Sequence, residues 1–565
     1  MAKKYVYFFG GDQTEGNAQM RNLLGGKGAN LAEMASLGIS VPMGFTITTE
    51  ACVKYFRNDN QYPLGLWKEV EANLIRLEEA MGSRFGDSQN PLLVSVRSGA
   101  RASMPGMMDT ILNLGLNDQT LQGLIQDLQN ERFVYDSYRR LITMFGDVVL
   151  KVEHSRFEEI LDEFKNRLNV SADVDIDANS LKQLVERYKE LIRKETGQDF
   201  PQDPKVQLRM AVDAVFSSWM NDRAIIYRRL NNISEDWGTA VNIQSMVFGN
   251  LGNTSGTGVV FTRNPATGEN KFYGEYLLNA QGEDVVAGIR TPKDIQELEK
   301  DLPEIYCQLR EIEEKLERHY KDVQDIEFTV QKGKLYMLQT RTGKRTAVAA
   351  VRAAVEMVEE GLIDKKTAIL RVEPGQVDQL LHPRIDPKVK PKVIAEGLPA
   401  SPGAAVGKVV FTAEDAEQMA SRNEKAILVR AETSPEDVGG MNAADGILTS
   451  RGGMTSHAAV VARGMGKCCI VGCAEIKINE KQRQFSVNNH VIRKGDIITL
   501  NGTTGEVILG EAELVQPELG GHFAKLMNWT DEFRRLGVRA NADTPLDAMV
   551  ARDFGAQGIG LCRTE

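Results

Sequence analysis

The sequence predicts a multidomain protein of mixed α/β and α+β class, and three observations support this. At 565 residues the chain is too long for a single hydrophobic core. Short apolar runs between glycine-rich turns, typical of strands, alternate with charged amphipathic stretches, typical of helices. A proline-punctuated basic segment at 373–398 separates a long N-terminal part from a compact, strand-rich segment at 399–512.

The first third of the chain predicts strands that lead into glycine-rich loops, followed by helices. The run Gly-Gly-Lys-Gly at 25–28 precedes a helical pattern at 29–37. A short apolar run at 91–96 reads as a strand and leads directly into Arg-Ser-Gly-Ala-Arg at 97–101. Charged faces and few glycines predict that residues 118–232 are mostly helical.

Both loops are candidate phosphate-binding elements. Lys27 lies in a glycine run before a helix, but the run is not a Walker loop because Gly-x4-Gly-Lys-[Ser/Thr] is absent. Arg97 and Arg101 flank small residues, so two guanidinium groups and open backbone N–H groups could close over a polyphosphate.

A predicted hairpin near residue 330 carries a cluster of polar side chains. The period of two places Asp325 and Glu327 on one face of the first strand and Gln339 and Arg341 on one face of the second. A three-residue loop would pair Glu327 with Gln339 and Asp325 with Arg341, whereas a two-residue loop would break that pairing. The acidic residues would supply oxygen ligands for Mg²⁺, with Gln339 as a neutral ligand. The alternative is a solvated face with a surface ion pair.

The strand-rich segment contains the strongest catalytic candidate, His457. Thr455 and Ser456 are good N-cap residues, so a helix is predicted to begin at His457 and to end at Gly464. A histidine in the first turn faces free backbone N–H groups and the positive end of the helix dipole, which suits a phosphoryl carrier. The alternative is a capped surface helix that happens to contain histidine. No second ligand lies nearby at zinc spacing.

Composition limits the location and the partners. The net charge of −10 disfavours a nucleic acid or an anionic membrane as partner. No segment approaches eighteen uninterrupted apolar residues, and the apolar N-terminal stretch is too short for a signal peptide. Six cysteines in so long a chain do not predict a disulfide framework, and the run that contains Cys468, Cys469 and Cys473 predicts a buried strand. A reducing cytoplasmic location is therefore expected.

Several long motifs resemble those of the phosphoenolpyruvate-utilising enzyme family, in its pyruvate, phosphate dikinase branch. The matching stretches are residues 24–34, 95–110, 255–265, 279–286, 452–464 and 558–565. The resemblance covers essentially the whole chain and implies five parts. They are an ATP-grasp-like nucleotide domain at 1–345 with a helical insert at about 118–232, a helical linker at 346–398, a swivelling phosphohistidine domain at 399–512, a linker at 513–533, and the start of a (β/α)8 barrel at 534–565.

The resemblance also implies roles for individual residues. His457 matches the phosphocarrier histidine, and Thr455 matches a threonine that a bifunctional kinase/phosphorylase modifies in some members. Arg563 matches a residue that binds the substrate phosphate. The residues that match the ATP and Mg²⁺ site are Lys27, Arg97, Asp284, Asp325, Glu327, Gln339 and Arg341, with Glu327 and Gln339 as metal ligands.

The implied chemistry converts ATP, phosphate and pyruvate to AMP, pyrophosphate and phosphoenolpyruvate, with Mg²⁺ and a monovalent cation (K⁺ or NH₄⁺). The family's barrel should continue for some three hundred residues past Glu565. The chain is therefore expected to be competent only for the nucleotide half-reaction. Family homodimers pair largely through that barrel, so this chain is expected to be monomeric.

Two alternatives stay open. A phosphoenolpyruvate synthase-like enzyme would use water instead of phosphate, although the uninterrupted motif from Arg97 to Thr110 favours the dikinase branch. A non-catalytic phosphohistidine carrier, loaded by another protein, would not need the nucleotide domain predicted for the first 340 residues.

Overall fold

The computed structural model confirms the mixed α/β multidomain class. It describes residues 3–102, 104, 106–170, 172–282, 284, 290–380, 384–385, 391–488, 490–515, 520–553 and 555–562. Two five-stranded sheets lie in residues 3–342, which we call the N-terminal lobe, and an eight-stranded sheet lies in residues 391–512, which we call the histidine lobe.

The first sheet of the N-terminal lobe is antiparallel throughout. Its strands, in spatial order, are Val6–Phe9, Gly44–Ile47, Thr239–Ser245, Val94–Ala100 and Thr110–Leu114. The helices before residue 120 are Arg21–Ser36, Thr49–Arg57 and Leu66–Met81. The stretch predicted to be helical contains Thr120–Leu128, Glu131–Met144, His154–Leu168, Ala178–Thr196, Pro204–Ser218 and Asp222–Leu230, with a π-helical segment at Phe145–Val149. The helices from Thr120–Leu128 to Pro204–Ser218 share the main hydrophobic core with the sheet, whereas Asp222–Leu230 packs in a second cluster with residues of the histidine lobe.

The first helix differs from its predicted bounds, because it begins at Arg21 and contains the glycine run. Gly25 interrupts it with φ 67°, in the left-handed region that favours glycine. A Cβ atom at Gly25 would lie 1.8 Å from the carbonyl oxygen of Gly99. The glycine run therefore lets this helix press against the strand that carries Arg97, which brings both predicted phosphate-binding elements together.

The second sheet of the N-terminal lobe carries the polar hairpin. Its strands, in spatial order, are Lys293–Asp294, Tyr273–Leu278, Gly256–Phe261, Gln324–Gln331 and Lys334–Thr342. The amphipathic helix Pro303–Tyr320 contributes Ile305, Leu309 and Leu316 to the core beneath this sheet.

The hairpin turn has two residues, so the three-residue turn considered above is wrong. Gln331 pairs with Lys334, and a β-bulge between Glu327 and Phe328 shifts the register by one residue. Glu327 therefore still pairs with Gln339, and Asp325 with Arg341, although the short turn alone would have separated them. A bulge places two residues opposite one and so restores the face that the turn length would have reversed.

The segments between the two lobes pack on the segment that follows the histidine lobe. The helices Ala347–Glu359 and Lys365–Arg371 contact the helix Gly521–Phe533 through a small apolar cluster. The short strand Arg384–Ile385 pairs with Leu514–Val515. The chain therefore enters and leaves the histidine lobe at neighbouring positions.

The histidine lobe is a mixed sheet with a parallel centre. Its strands, in spatial order, are Val393–Glu396, Glu506–Leu509, Ile497–Asn501, Ala404–Val410, Ala426–Arg430, Gly446–Thr449, Cys468–Val471 and Leu398–Ser401. The buried strand predicted for the cysteine run is thus confirmed as Cys468–Val471. The helix His457–Met465 follows the strand Gly446–Thr449, so its first residue lies near the carboxyl edge of the parallel strands, where sites in such sheets form.

The last described residues form a strand–helix–strand unit. Arg539–Ala540 pairs in parallel with Gly558–Ile559, and the helix Pro545–Asp553 connects them. Among the described helices, none has both the length and the apolar character needed to cross a bilayer.

Candidate active site

A cavity of about 940 Å³ lies where the two lobes meet, and side chains from both lobes line it. It gathers most of the residues that the sequence singled out. Those that line it are Lys27, Arg97, Arg101, Asp325, Glu327, Gln339, Arg341, Thr455, Ser456 and His457. Arg563 lies outside the described residues, so its role stays a prediction.

The helix that begins at His457 has the predicted N-terminal cap, but it does not end where predicted. Ser456 is the N-cap, and its hydroxyl accepts a hydrogen bond from the backbone N–H of Ala459 at 3.5 Å. The predicted C-terminal end at Gly464 is wrong, since the helix continues to Met465. Gly466 adopts φ 65° and closes the helix, because only the left-handed conformation returns its N–H to the last carbonyls.

The two ring nitrogens of His457 have different surroundings. Nδ1 lies 3.0 Å from the hydroxyl oxygen of Thr433, whereas Nε2 is buried and has no hydrogen-bond partner among the described residues. If the Nδ1–H group donates a hydrogen bond to the Thr433 hydroxyl, Nε2 keeps a free lone pair. Sequence reasoning missed Thr433, which follows the strand Ala426–Arg430, although the carboxyl ends of neighbouring parallel strands indicate where to look.

The electrostatics of the site keep His457 neutral. Burial lowers the pKa of His457 from its ordinary value to about 4, the carboxylates of Asp437 and Glu436 oppose that shift, and Lys344 adds to it. A neutral imidazole is the nucleophilic form, so the ring is in its reactive state at neutral pH.

We expect the imidazole of His457 to titrate near pH 4 and not near its ordinary value of 6.5. The folded-state pKa lies below the unfolded value, so this histidine costs stability as the pH falls from 6.5 towards 4 and has no effect above that window. An NMR titration of the chain with ¹³C-labelled histidine measures this, with the signal assigned by its loss in His457→Asn. A midpoint near 6.5 for that signal would show that the ring is solvated.

We also expect Thr433→Val to slow phosphorylation of His457 about tenfold, the value of one neutral hydrogen bond to a buried ring. Valine matches threonine in shape but leaves Nδ1 without its partner. Thr433→Ser keeps the hydroxyl and is the matched control, which should retain most of the rate. Equal loss in both variants, measured by the initial rate of label incorporation, would assign the effect to packing instead.

The wall of the cavity opposite His457 is a buried network of ion pairs. Arg97 Nη2 lies 3.2 Å from Glu327 Oε2, and Arg341 Nε lies 2.7 Å from Asp325 Oδ2. Burial alone would raise the pKa of Glu327, but the charges of Arg341, Arg97 and Lys27 outweigh it and hold that pKa below its ordinary value. Burial raises the pKa of Asp325, with Arg341 opposing. The predicted solvated hairpin face is thus wrong, since these groups are enclosed and face a cavity.

Lys27 completes this network with an unusual electrostatic state. Burial lowers the pKa of Lys27 well below its ordinary value, and the positive charges of Arg97 and Arg341 lower it further. A polyphosphate bound in the cavity would bring negative charge to these three groups and raise the pKa of Lys27 again, which favours its ammonium form. Three basic side chains, Lys27, Arg97 and Arg341, thus line one wall of the cavity.

The same wall fits a divalent cation that is held jointly with phosphate. Asp325 Oδ1 is buried without a hydrogen-bond partner, and Glu327 and Gln339 face each other across the hairpin. Within the described ranges, no group of three or more His, Cys, Asp or Glu side chains is arranged as a complete metal site. Mg²⁺ keeps few protein ligands and takes phosphate oxygens for the rest, so a partial set of oxygens matches its chemistry.

Asp284 is placed differently from the other predicted ligands, because its carboxylate already has partners. Oδ1 lies 3.1 Å from Arg140 Nη1, and Oδ2 accepts the backbone N–H of Gln281 at 2.9 Å. Gln281 and Gly282 line the cavity, and Asp284 holds the segment that carries them. A direct contact of Asp284 with a nucleotide stays a prediction.

Glu275 joins the two lobes beside Thr455, and sequence reasoning missed it. Its carboxylate accepts the backbone N–H of Met454 and the hydroxyl of Thr455, both at 3.3 Å. Burial raises the pKa of Glu275, although these hydrogen bonds oppose the shift. Thr455 is therefore buried while the lobes are in contact.

Three protein-family models match this chain. The family model described as the pyruvate phosphate dikinase AMP/ATP-binding domain matches residues 21–64, 63–308 and 301–362. The model for the mobile domain of PEP-utilising enzymes matches residues 422–505, and the model for their PEP-binding domain matches residues 517–565.

Relatives from plants and bacteria align along the entire chain. The chloroplastic pyruvate, phosphate dikinase of Flaveria trinervia is 60% identical, and those of Rhizobium meliloti (strain 1021) and Clostridium symbiosum are each 56% identical. The alignments cover 100% of this chain but only 59% of the Flaveria protein and 64% of each bacterial one. Because the nucleotide-binding model alone spans more than half of the residues, the chain belongs to the pyruvate phosphate dikinase family.

Proposed function

We propose that the chain transfers a phosphoryl group from ATP to His457 in a phosphate-dependent reaction. This is the first half of the conversion of ATP, phosphate and pyruvate to AMP, pyrophosphate and phosphoenolpyruvate. The observation that carries the proposal is that His457, whose Nε2 has no hydrogen-bond partner among the described residues, lines the same cavity as Lys27, Arg97 and Arg341. The names of the relatives support it.

The first step forms a bond between Nε2 of His457 and the β-phosphorus of ATP. The bond from that phosphorus to the oxygen it shares with the α-phosphorus breaks, and AMP leaves. The ring becomes cationic as Nε2 is phosphorylated, and Thr433 stabilises it because its hydroxyl oxygen accepts a hydrogen bond from Nδ1–H. Lys27, Arg97 and Arg341 neutralise the charge of the phosphates.

The second step removes the terminal phosphoryl group. An oxygen of inorganic phosphate attacks the γ-phosphorus, the β–γ bridge breaks, and pyrophosphate leaves phospho-His457 behind. Mg²⁺ held by Asp325, Glu327 and Gln339 would neutralise phosphate charge and fix phosphate geometry when bound. The monovalent cation, K⁺ or NH₄⁺, belongs to the proposal as well. Pyruvate as final acceptor and Arg563 as its phosphate ligand complete the reaction of the whole enzyme.

Regulation at Thr455 is also proposed, because a phosphate there would meet Glu275. The carboxylate of Glu275 already accepts the Thr455 hydroxyl, and a dianion in its place would be repelled. A modified Thr455 therefore disfavours the contact between the lobes that loads His457. A bifunctional kinase/phosphorylase would be the partner that adds and removes this group.

Parallel incubations with β-³²P-ATP and γ-³²P-ATP test the proposed half-reaction. Without phosphate, both labels should appear on the chain as acid-labile, base-stable phosphohistidine, with release of AMP. Added phosphate should remove only the γ label, as pyrophosphate. Loss of the γ label as free phosphate without added phosphate would support the synthase-like alternative. A chain that neither binds ATP nor takes up either label would be a carrier that another protein loads.

A further inference from the structure

The turn at residues 106–109, Gly-Met-Met-Asp, lies in the N-terminal lobe at its boundary with the histidine lobe. We call it the methionine turn. It precedes the strand Thr110–Leu114 of the N-terminal lobe. Gly106, Met108 and Thr110 line the cavity together with the cationic residues. One side of the turn is therefore part of the wall that would enclose a nucleotide.

The other side of the methionine turn packs against the histidine lobe. Met107 is fully buried in a hydrophobic cluster that includes Val438, Met441 and Met454. A Cβ atom at Gly106 would lie 3.0 Å from Pro435 Cγ and 3.5 Å from Cδ2 of His457. Separation of the lobes would expose Met107 and remove this support from the turn.

Arg223 holds the methionine turn and also reaches the histidine lobe. Its guanidinium pairs with the Asp109 carboxylate and donates to the carbonyl of Met107 at 3.3 Å. Asn221 also donates to Asp109, at 3.3 Å. Nη1 of Arg223 lies 3.3 Å from Glu436 Oε1 of the histidine lobe. Arg223 thus connects Asp109 of the methionine turn to Glu436 of the histidine lobe.

We propose that nucleotide binding and docking of the histidine lobe are coupled through the methionine turn. Arg223 anchors the turn at Asp109, the docked histidine lobe supports its outer side, and a nucleotide in the cavity would contact its inner side. The coupling is reciprocal, so a docked histidine lobe tightens nucleotide binding and a bound nucleotide favours docking. This inference rests on the proposed function, because it requires that the cavity bind ATP.

Gly453 offers a substitution that acts on docking and leaves the cavity intact. A Cβ atom there would lie 2.5 Å from Oε2 of Glu275, and its three nearest neighbours are all atoms of that carboxylate. Because that carboxylate is the free end of a flexible side chain, a new Glu275 rotamer can absorb Gly453→Ala, and the larger Gly453→Val is the variant expected to separate the lobes without changing a cavity-lining side chain. Gly464→Ala is the matched control, since a Cβ atom there would meet only Lys344, at an ordinary 3.5 Å.

The experiment measures docking and nucleotide affinity in the same chains. Small-angle scattering reports separation of the lobes. Calorimetry in the presence of Mg²⁺ gives the Kd of α,β-methylene-ATP, an analogue that cannot donate its β-phosphoryl group. In the separated Gly453 variants we expect that Kd to rise about tenfold, within the usual range of coupling between sites. In these variants, a bound nucleotide should also no longer protect peptides that contain the methionine turn from hydrogen exchange.

The outcomes are distinct. Wild-type affinity and protection in a Gly453 variant whose lobes have separated would overturn the coupling. If both Gly453 variants stay docked, the contact with Glu275 does not control docking and the inference also falls. If the parent chain and Gly464→Ala do not bind the analogue, the proposed function itself fails, which is a different result.

Discussion

Label incorporation from β-³²P-ATP is expected to fall by at least about 10⁴-fold in His457→Asn, as when the nucleophile of another enzyme is removed. Asparagine keeps a polar side chain at the start of the helix but has no nitrogen with a nucleophilic lone pair. In the parent chain, Nε2 of His457 is the free ring atom, and its other nitrogen is engaged by Thr433. The measurement is acid-labile label per chain, with AMP release as an independent readout.

His154→Asn is the matched control for this loss. The side chain of His154 is 57% exposed in the helical part of the N-terminal lobe and does not line the cavity. It should incorporate label at the parent rate. Label that persists on His457→Asn would falsify the assignment of the nucleophile, and mapping of the labelled peptide would then show which residue takes its place.

Glu327→Gln is expected to lower the rate of label incorporation about 10³-fold, the upper range for removing one preorganised electrostatic group. The substitution keeps the shape but takes one negative charge from a network that contains Lys27, Arg97 and Arg341. Repulsion among the remaining cations would rise, and the wall would lose an oxygen ligand for Mg²⁺. Single-turnover labelling at saturating ATP separates this loss from weaker binding.

Glu311→Gln, the same change at an exposed position of the helix Pro303–Tyr320, should leave the rate unchanged. Circular dichroism and thermal unfolding establish whether Glu327→Gln is folded. A folded Glu327→Gln chain with the parent's single-turnover rate at ordinary Mg²⁺ would remove Glu327 from the catalytic wall.

The local features of the site could be predicted, because they depend on neighbours in sequence. Ser456 and His457 begin a helix, and a capping residue before an apolar run is a signal that one short segment contains. The strand that leads into Arg97 could likewise be predicted, but it extends to Ala100, so Arg97 lies in a strand and not in a loop, and its contact with an anion stays a prediction. The free Nε2 could not be predicted, because it depends on Thr433, which comes from a different strand.

The pairing of the hairpin shows how two local features can compensate. The turn Lys332-Gly333 and the bulge beside Glu327 each shift the register by one residue, and together they leave Glu327 opposite Gln339. Turn residues give the first shift, but nothing local to Leu338 indicates the second. The contact of Glu275 with Thr455 has no signal in either segment, because burial of a carboxylate between lobes is set by tertiary packing.

The pairing of Arg384–Ile385 with Leu514–Val515 holds the two ends of the histidine lobe next to each other, so the lobe could be deleted as one segment. A segment whose two ends lie side by side can be cut out and bridged by a few residues without stretching the chain on either side. The helices Ala347–Glu359 and Gly521–Phe533 would keep their contact in such a deletion, since neither belongs to the excised part. The architecture thus resembles an insertion into a continuous scaffold, and the histidine lobe could be exchanged between relatives as one unit.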